Sequence, residues 1–355
     1  MPVSMMSKRI AIIPGDGIGI EVTAEATKVL RKLKASRSLP LEWATFDWGA
    51  EKYLREGVSL PEGAIEMLRR DFDAIFIGAV GDPRVPSLQY AVDILLGIRF
   101  GLDLYVNQRP VKLLSGKLCP LKDRTEQDIN FLIFRENTEG LYAGMGGNFK
   151  RDTPQEVAIQ EDVNTRKGVE RILVYAFEYA SRRGLTRVCM SDKSNAMPYG
   201  HGLWQRTFAD VRKRYPEIEA RHLYVDTLAM EMVKNPAQFQ VIVTCNLFGD
   251  ILSDLGAELQ GGMGLALSAN IRPGAVSMFE PVHGSAPELA GKNRANPMAA
   301  ILAAGMMLDH LSFPDVAAEV ESAVARAIEE DQTTPDVGGV LGTREVGDWI
   351  CGRLE

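Results

Sequence analysis

Short apolar runs alternate along this chain with longer stretches in which apolar positions recur every three to four residues. Residues 10–13, 41–48, 74–77 (closed by Gly78), 131–135, 187–190 and 241–244 read as strands. Several are apolar at every position, the pattern of a strand buried on both faces. Residues 20–34, 61–69 (with Pro61 in the first turn), 165–183 and 315–329 carry helical spacing with one apolar face. Residues 295–310, rich in Ala and Met and nearly apolar all round, predict a buried helix. Strand followed by helix, repeated, predicts an α/β architecture with a largely parallel or mixed sheet. At 355 residues the chain exceeds one simple core, and no repeat, low-complexity segment or Pro/Gly linker divides it. Two domains without a linker imply that the chain crosses between them more than once. Gly261-Gly262 with Gly264, and the stretch near Arg109-Pro110, are the best crossing candidates.

Composition narrows the function classes. A net charge of −7 with no basic stripe argues against a nucleic-acid or anionic-membrane partner. Cys119, Cys189, Cys245 and Cys351 lack CxxC or zinc spacing and read as reduced, mostly buried thiols. No run of eighteen apolar residues predicts a membrane helix. Met1 to Ser7 is too short and polar for a signal peptide, so the expected location is the cytoplasm.

The chemistry-bearing residues cluster at the ends of predicted strands. After the strand at 241–244 comes Asn246-Leu247-Phe248-Gly249-Asp250-Ile251-Leu252-Ser253-Asp254, which is expected to turn through Gly249 into a helix. Asp250 and Asp254 then share one face. Two such carboxylates suit a divalent cation with hard oxygen ligands, or else a solvated first helical turn. Arg99, Arg109 and Arg135 each stand near the end of an element. Together they suit a di- or tricarboxylate, whose oxygens match the guanidinium fork; separately they are three surface arginines. Tyr142, in Arg135-Glu136-Asn137-Thr138-Glu139-Gly140-Leu141-Tyr142, is a candidate general acid or a half-buried structural tyrosine. Lys193, in Asp192-Lys193-Ser194-Asn195, is a candidate base or proton relay, or a turn lysine. Asp226 ends another β-like run and is a candidate third metal ligand. Pro14-Gly15-Asp16-Gly17-Ile18-Gly19 is GxGxG rather than GxGxxG, and it reads as a tight turn more than a dinucleotide loop. The better cofactor loop runs from Glu280 through His283, Gly284, Ser285, Ala286 and Glu288 to Lys292. His283 is suited to adenine. Glu288 is suited to a ribose 2′-hydroxyl and repels a 2′-phosphate, which favours NAD over NADP, although Lys292 and Arg294 pull the other way.

In chain order, IIPGDGIG (12–19), ILLGIRFGLDLYVNQRP (94–110), RENTEGLY (135–142), DKSNA (192–196), NLFGDILSD (246–254) and FEPVHGSAPELAGKNRANP (279–297) resemble the β-decarboxylating dehydrogenases. This is the family of isopropylmalate, isocitrate, homoisocitrate and D-malate/tartrate dehydrogenases, and the resemblance runs from Ile10 to about Leu308. It implies a two-domain fold with a mixed sheet, not a Rossmann fold, and an active-site cleft between the domains. Expected boundaries are 1–104 plus 262–355 for a cofactor domain and 105–261 for a substrate, metal and dimerisation domain. Arg99, Arg109 and Arg135 would hold the malate carboxylates. Asp250 and Asp254, with Asp226 from a second subunit, would bind Mg²⁺ or Mn²⁺. Lys193, also from the partner and with Asp226 nearby, would help remove the hydroxyl proton, and NAD⁺ would take the C2 hydride. Loss of CO₂ would leave an enolate for Tyr142 to protonate. The adenosine of NAD would lie on residues 280–296, Asn296 included. Shared sites imply an obligatory homodimer.

On substrate choice, Leu95 and Leu96 match the leucine pair that isopropylmalate enzymes set against the isopropyl group. The Ser and Asn of isocitrate enzymes and the Trp of malate/tartrate enzymes are absent. Val92 replaces a usual Glu, beside Asp93, and Ala196 a frequent Val. The expectation is 3-isopropylmalate, with a larger 3-alkylmalate, homoisocitrate or D-malate/tartrate as alternatives. A catalytically silent regulatory paralogue is the reading from another class. It is disfavoured because the lysine, the tyrosine and the metal-ligand aspartates are all present.

Overall fold

The structure, a computed structural model, describes residues 7–87 and 89–355. All but Ser7 of the leading segment discussed above lies outside the described residues. In chain order the elements are β1 (Lys8–Gly15), α1 (Ile18–Ser36), β2 (Leu41–Thr45), α2 (Ala50–Glu56), α3 (Ala64–Asp71), β3 (Ala74–Ala79), α4 (Gln89–Gly101) and β4 (Val106–Lys112). There follow β5 (Asn130–Glu136), β6 (Gly146–Phe149), β7 (Val157–Gln160), α5 (Arg166–Arg182), β8 (Arg187–Asp192), α6 (Gly200–Val211), β9 (Glu219–Tyr224), α7 (Val225–Lys234) and β10 (Val241–Thr244). The chain closes with α8 (Asn246–Leu259), β11 (Leu267–Ile271), β12 (Ser277–Pro281), α9 (Met298–His310), α10 (Pro314–Glu329) and α11 (Thr343–Cys351).

Two compact units emerge. The first comprises residues 1–104, 113–126 and 257–355; the second comprises 105–112 and 127–256. The chain therefore passes between them four times. Set beside the expected boundaries, residues 113–126 and 257–261 fall with the first unit. Lys117 explains part of this: its ammonium donates to Glu329 O (2.6 Å) and pairs with Asp331 (3.1 Å). At the end of α8, a Cβ on Gly261 would lie 2.8 Å from Leu118 Cβ, so the helix end and this segment pack tightly together. The last crossing consequently lies within α8, ahead of Gly261-Gly262.

In unit 1 the strand order is β2-β1-β3-β12-β11, parallel except for the antiparallel β11–β12 pair. All six residues of β3 are buried, which its unbroken apolar run anticipates. Ile13, Ile75 and Ile77 share a core with Tyr90, Ile94 and Ile98 of α4. Helix α9 is buried along almost its whole length, as its composition predicts.

Unit 2 has the order β4-β5-β10-β8-β9, parallel except for β4–β5. An antiparallel pair in each unit gives the mixed pattern and excludes the all-parallel Rossmann arrangement. The β6–β7 hairpin forms a separate two-stranded sheet whose residues are all exposed. Thr165 caps α5, its hydroxyl accepting from Gly168 N at 3.0 Å, a contribution of about 1 kcal/mol.

Two local expectations are corrected. Pro61 is not in a helix: α3 starts at Ala64, because Gly63 adopts φ 75° and resets the chain there. Residues 46–48 leave the strand after Thr45, and Phe46 and Trp48 pack their rings 4.8 Å apart in the unit 1 core.

Candidate active site

In unit 2, β4 and β5 run antiparallel with Asn107 opposite Arg135, while β5 and β10 run parallel with Arg135 beside Thr244. Arg135 therefore emerges where β10 hands over to α8. The helix begins at Asn246, so Gly249 lies inside it rather than at the expected turn. Its role is close approach: a Cβ there would stand 2.5 Å from Cβ and Cγ of Arg135.

Asp250 is the hub of this region. Its Oδ1 accepts from Arg135 Nη1 at 2.5 Å and lies 3.3 Å from Arg109 Nη2, and its Oδ2 accepts from the Tyr142 hydroxyl at 2.7 Å. The Arg135 guanidinium also stands 5.1 Å from the centre of the Tyr142 ring, and its Nε donates to Asn246 Oδ1 at 2.9 Å. Arg109 is fixed by Asn107 Oδ1 (2.8 Å) and Ser253 Oγ (2.5 Å), and its Nη1 lies 3.6 Å from Asp254. Burial and the Asp250 carboxylate both raise the Tyr142 pKa, so the phenol keeps its proton. Burial also raises the Asp254 pKa, with Arg109 opposing it and Asp250 reinforcing it.

Lys193 follows β8, and Asp226 opens α7 directly after β9. The two strands are adjacent and parallel, and the Lys193 ammonium pairs with the Asp226 carboxylate. Hydrogen bonding from Lys193 lowers the Asp226 pKa. Asp226 does not join Asp250 and Asp254: among the described residues, no three His, Cys, Asp or Glu side chains gather as a metal cluster.

The candidate cofactor loop lies in unit 1. Ser285 O accepts from Ile18 N at 2.8 Å, and Gly17 (φ 55°) comes so close that a Cβ would stand 2.1 Å from that oxygen. The PGDG segment is thus a tight turn, and the 283–286 loop rests on it. Asp16 within that turn ties together segments far apart in sequence, which the sequence reading did not single out. Its Oδ1 accepts from Ala50 N (2.7 Å), and its Oδ2 from Gly81 N (2.9 Å) and the Tyr90 hydroxyl (2.7 Å). A cavity of about 510 Å³ opens here, lined by Gly17, Ile20, Glu21, Arg84, Pro287 and Gly291 among others. His283 Nδ1 bonds Gly284 O at 3.0 Å, while its buried Nε2 has no partner. Burial lowers the His283 pKa and keeps the ring neutral. Glu288 is exposed and Gly284 open, while Ala286 holds φ 34°. Asn296 is buried, its Oδ1 accepting from Met298 N (2.9 Å) and its Nδ2 donating to Asp336 (3.0 Å).

Glu280 stands apart from its loop neighbours. It is buried on β12 and accepts from Arg99 (2.8 Å), Ser268 (3.1 Å) and Asn270 (2.7 Å). What it anchors is the guanidinium of Arg99, whose buried Nε has no partner. On α4, Leu95 and Leu96 stand one turn before Arg99, both half-buried, with Leu95 against the core.

Unit 2 thus holds the Asp250 hub, with Arg135 buried and Tyr142 half-buried, beside Asp254, and the Lys193–Asp226 pair; unit 1 holds the glycine-supported 283–286 loop. The model of the isocitrate/isopropylmalate dehydrogenase family matches residues 9–350, and the chain belongs to that family; it is a β-decarboxylating dehydrogenase. It is 46% identical over 353 residues to the 3-isopropylmalate dehydrogenase of Thermobifida fusca, covering 99% of each chain. The 3-isopropylmalate dehydrogenase of Bifidobacterium longum is 45% identical over 348 residues, 98% of each. The crystal structure of isocitrate dehydrogenase from Methylococcus capsulatus superposes with a TM-score of 0.89 at 37% identity, covering 98% of this chain and 99% of that one.

Proposed function

We propose that this chain catalyses the NAD-dependent, divalent-metal-dependent oxidative decarboxylation of (2R,3S)-3-isopropylmalate to 4-methyl-2-oxopentanoate and CO₂, a step of leucine biosynthesis. The observation that carries the substrate choice is the half-buried Leu95–Leu96 pair on the same helix as the anchored Arg99. An apolar branch and a carboxylate on one small molecule match that pairing. The 45–46% full-length identity to 3-isopropylmalate dehydrogenases supports it.

Unit 1 is the cofactor domain in this reading, and unit 2 the substrate, metal and dimerisation domain. The donor chemistry on hand fits both the metal and the cofactor. Asp250 and Asp254 offer hard carboxylate oxygens one helical turn apart, as Mg²⁺ or Mn²⁺ requires. The neutral, unpartnered Nε2 of His283 fits an adenine N–H, and exposed Glu288 fits a ribose hydroxyl. When bound, the metal supplies Lewis-acid polarisation of the C2 oxygen, and NAD⁺ supplies the hydride acceptor.

The chain's own residues do the rest. Arg109 and Arg135 bind substrate carboxylates through guanidinium forks already fixed by Asn107, Ser253 and Asn246. The Lys193–Asp226 pair, which each subunit presents to the site of the other, takes up the proton of the C2 hydroxyl. Tyr142, kept protonated by burial and Asp250, delivers its proton to C3 after CO₂ departs.

The homodimer of this reading is supported by the apolar side chains that unit 2 leaves exposed. On α7, Asp226, Met230 and Val233 form one stripe at i, i+4, i+7, with Met230 69% and Val233 43% exposed. On α8, Ile251 is 58% exposed between Asp250 and Asp254. Each metal-ligand face thus carries its own uncovered apolar patch. A second copy would cover these faces and let Asp226 complete the metal set of its partner.

The test is Leu95→Ala and Leu96→Ala, assayed by NADH formation. Each should lower kcat/KM for 3-isopropylmalate by about tenfold or more while leaving D-malate turnover nearly unchanged. Equal losses on both substrates would reduce the leucines to packing and leave the substrate unassigned.

A further inference from the structure

Asp192 is buried at the carboxyl end of β8, one residue before Lys193, and is in direct contact with a histidine of the next strand. His222 Nε2 and Asp192 Oδ1 are 2.9 Å apart, and Ser194 N donates to the same oxygen at 3.0 Å. Asp192 Oδ2 accepts from Gln205 Nε2 at 2.9 Å, and that amide also reaches Ser194 Oγ at 3.2 Å. The carboxylate accepts three hydrogen bonds, and the bonds from His222 and Ser194 offset its burial and leave its pKa lowered. It therefore remains charged, and the His222 Nε2 carries the proton it donates.

The Lys193 turn is fixed from a second side. Lys193 N donates to His201 Nδ1 at 2.8 Å, so the first two N–H groups after β8 are both taken by side chains. Burial lowers the His201 pKa and keeps that ring a neutral acceptor.

The next strand carries the other half of the pair. His222 lies on β9, and its ring meets that of Tyr224 edge-on at 4.9 Å (85°), two residues before Asp226. The Asp192–His222 bond therefore joins the ends of the two strands from which Lys193 and Asp226 project. Strand β9 is an edge strand with four half-buried residues between exposed ends, so little core packing holds its end in place.

We infer that Asp192 and His222 are positioning residues for the Lys193–Asp226 pair: the imidazole of His222, donating to the buried carboxylate, sets the spacing of the two strand ends. The inference rests on the reading of Lys193 and Asp226 as the proton-handling pair. A displaced proton acceptor slows chemistry without weakening a substrate held by arginines, and a shift of about 1 Å costs up to about a hundredfold.

The decisive comparison is His222→Phe, which keeps the ring against Tyr224 but removes the donor, with His222→Gln, which restores an N–H. His222→Phe should lower kcat about tenfold to a hundredfold with KM for the hydroxy acid within about twofold, and His222→Gln should recover most of the loss. Asp192→Asn, which keeps the shape, carries the same test if His222→Phe does not fold. Wild-type kcat in His222→Phe, a loss confined to KM, or failure of all three variants to fold overturns the proposal. Lys193→Ala is measured beside them. Full turnover there defeats the reading of Lys193 itself. A dead Lys193→Ala beside a wild-type His222→Phe defeats the positioning role alone.

Discussion

Asp250 does two things with one carboxylate. It neutralises the buried guanidinium of Arg135 and approaches that of Arg109, and it accepts the Tyr142 proton in a hydrogen bond that keeps the phenol from ionising. Removing the phenol oxygen leaves the arginines paired and removes only the proposed proton donor. Tyr142→Phe should therefore keep KM within about twofold and lose kcat by about a hundredfold or more, measured by steady-state NADH formation. His283 makes a pH-dependent prediction. Burial lowers its pKa, so acidification through the ordinary histidine range leaves the ring neutral, and only pH below the lowered value protonates it. KM for NAD⁺ should stay level as pH falls through that range and rise only at more acid values, a rise absent in His283→Gln. The candidate residues were readable because strand ends followed by Arg, Lys, Asp or Tyr are rare against apolar runs. Their bonds to one another were not readable. Nothing in Glu280 announces that its partner is Arg99, 181 positions away.

At the scale of elements, two glycines set how closely segments approach. Gly249 lets α8 lie against Arg135, and Gly17 lets the 283–286 loop rest on the first turn. Gly249→Ala should destabilise the chain by about 1–3 kcal/mol, read from denaturant midpoints, and lower kcat/KM by displacing Arg135. Gly17→Ala, placed at φ 55° against a carbonyl, should raise KM for NAD⁺ while leaving the Asp250 hub and KM for the hydroxy acid nearly unchanged.

Legibility followed burial. Strands β3, β8 and β10 show as apolar runs because both faces are covered. Strands β11 and β12 were hidden, because their buried Ser268, Asn270 and Glu280 satisfy one another and break the apolar pattern. The β6–β7 hairpin was hidden for the opposite reason, having no buried face to impose alternation.

For the whole molecule, exposed apolar side chains are the strongest support for the proposed homodimer. Phe149 and Ile159 of the hairpin are 66% and 56% exposed, on a two-stranded element that water alone would hold poorly. If the proposed homodimer holds, light scattering should give twice 39.0 kDa for the wild type, and Phe149→Asp with Ile159→Asp should reduce it to one chain and abolish turnover. The crossing of the chain between units and the parallel–antiparallel mixture follow from the strand–helix alternation only in outline. The pairing order is set by long-range contacts that no local pattern carries.

Val92, 41% exposed on α4 one turn before the leucine pair, makes the side group of the substrate the most exacting question about this enzyme. It is answered most directly by NADH formation at 340 nm with Mg²⁺ or Mn²⁺, comparing 3-isopropylmalate, D-malate, L-tartrate, isocitrate and homoisocitrate, each with NAD⁺ and NADP⁺. The highest kcat/KM should fall on 3-isopropylmalate with NAD⁺. A lead for D-malate or tartrate, or a preference for NADP⁺, would contradict the roles given to Leu95 and Leu96 or to Glu288.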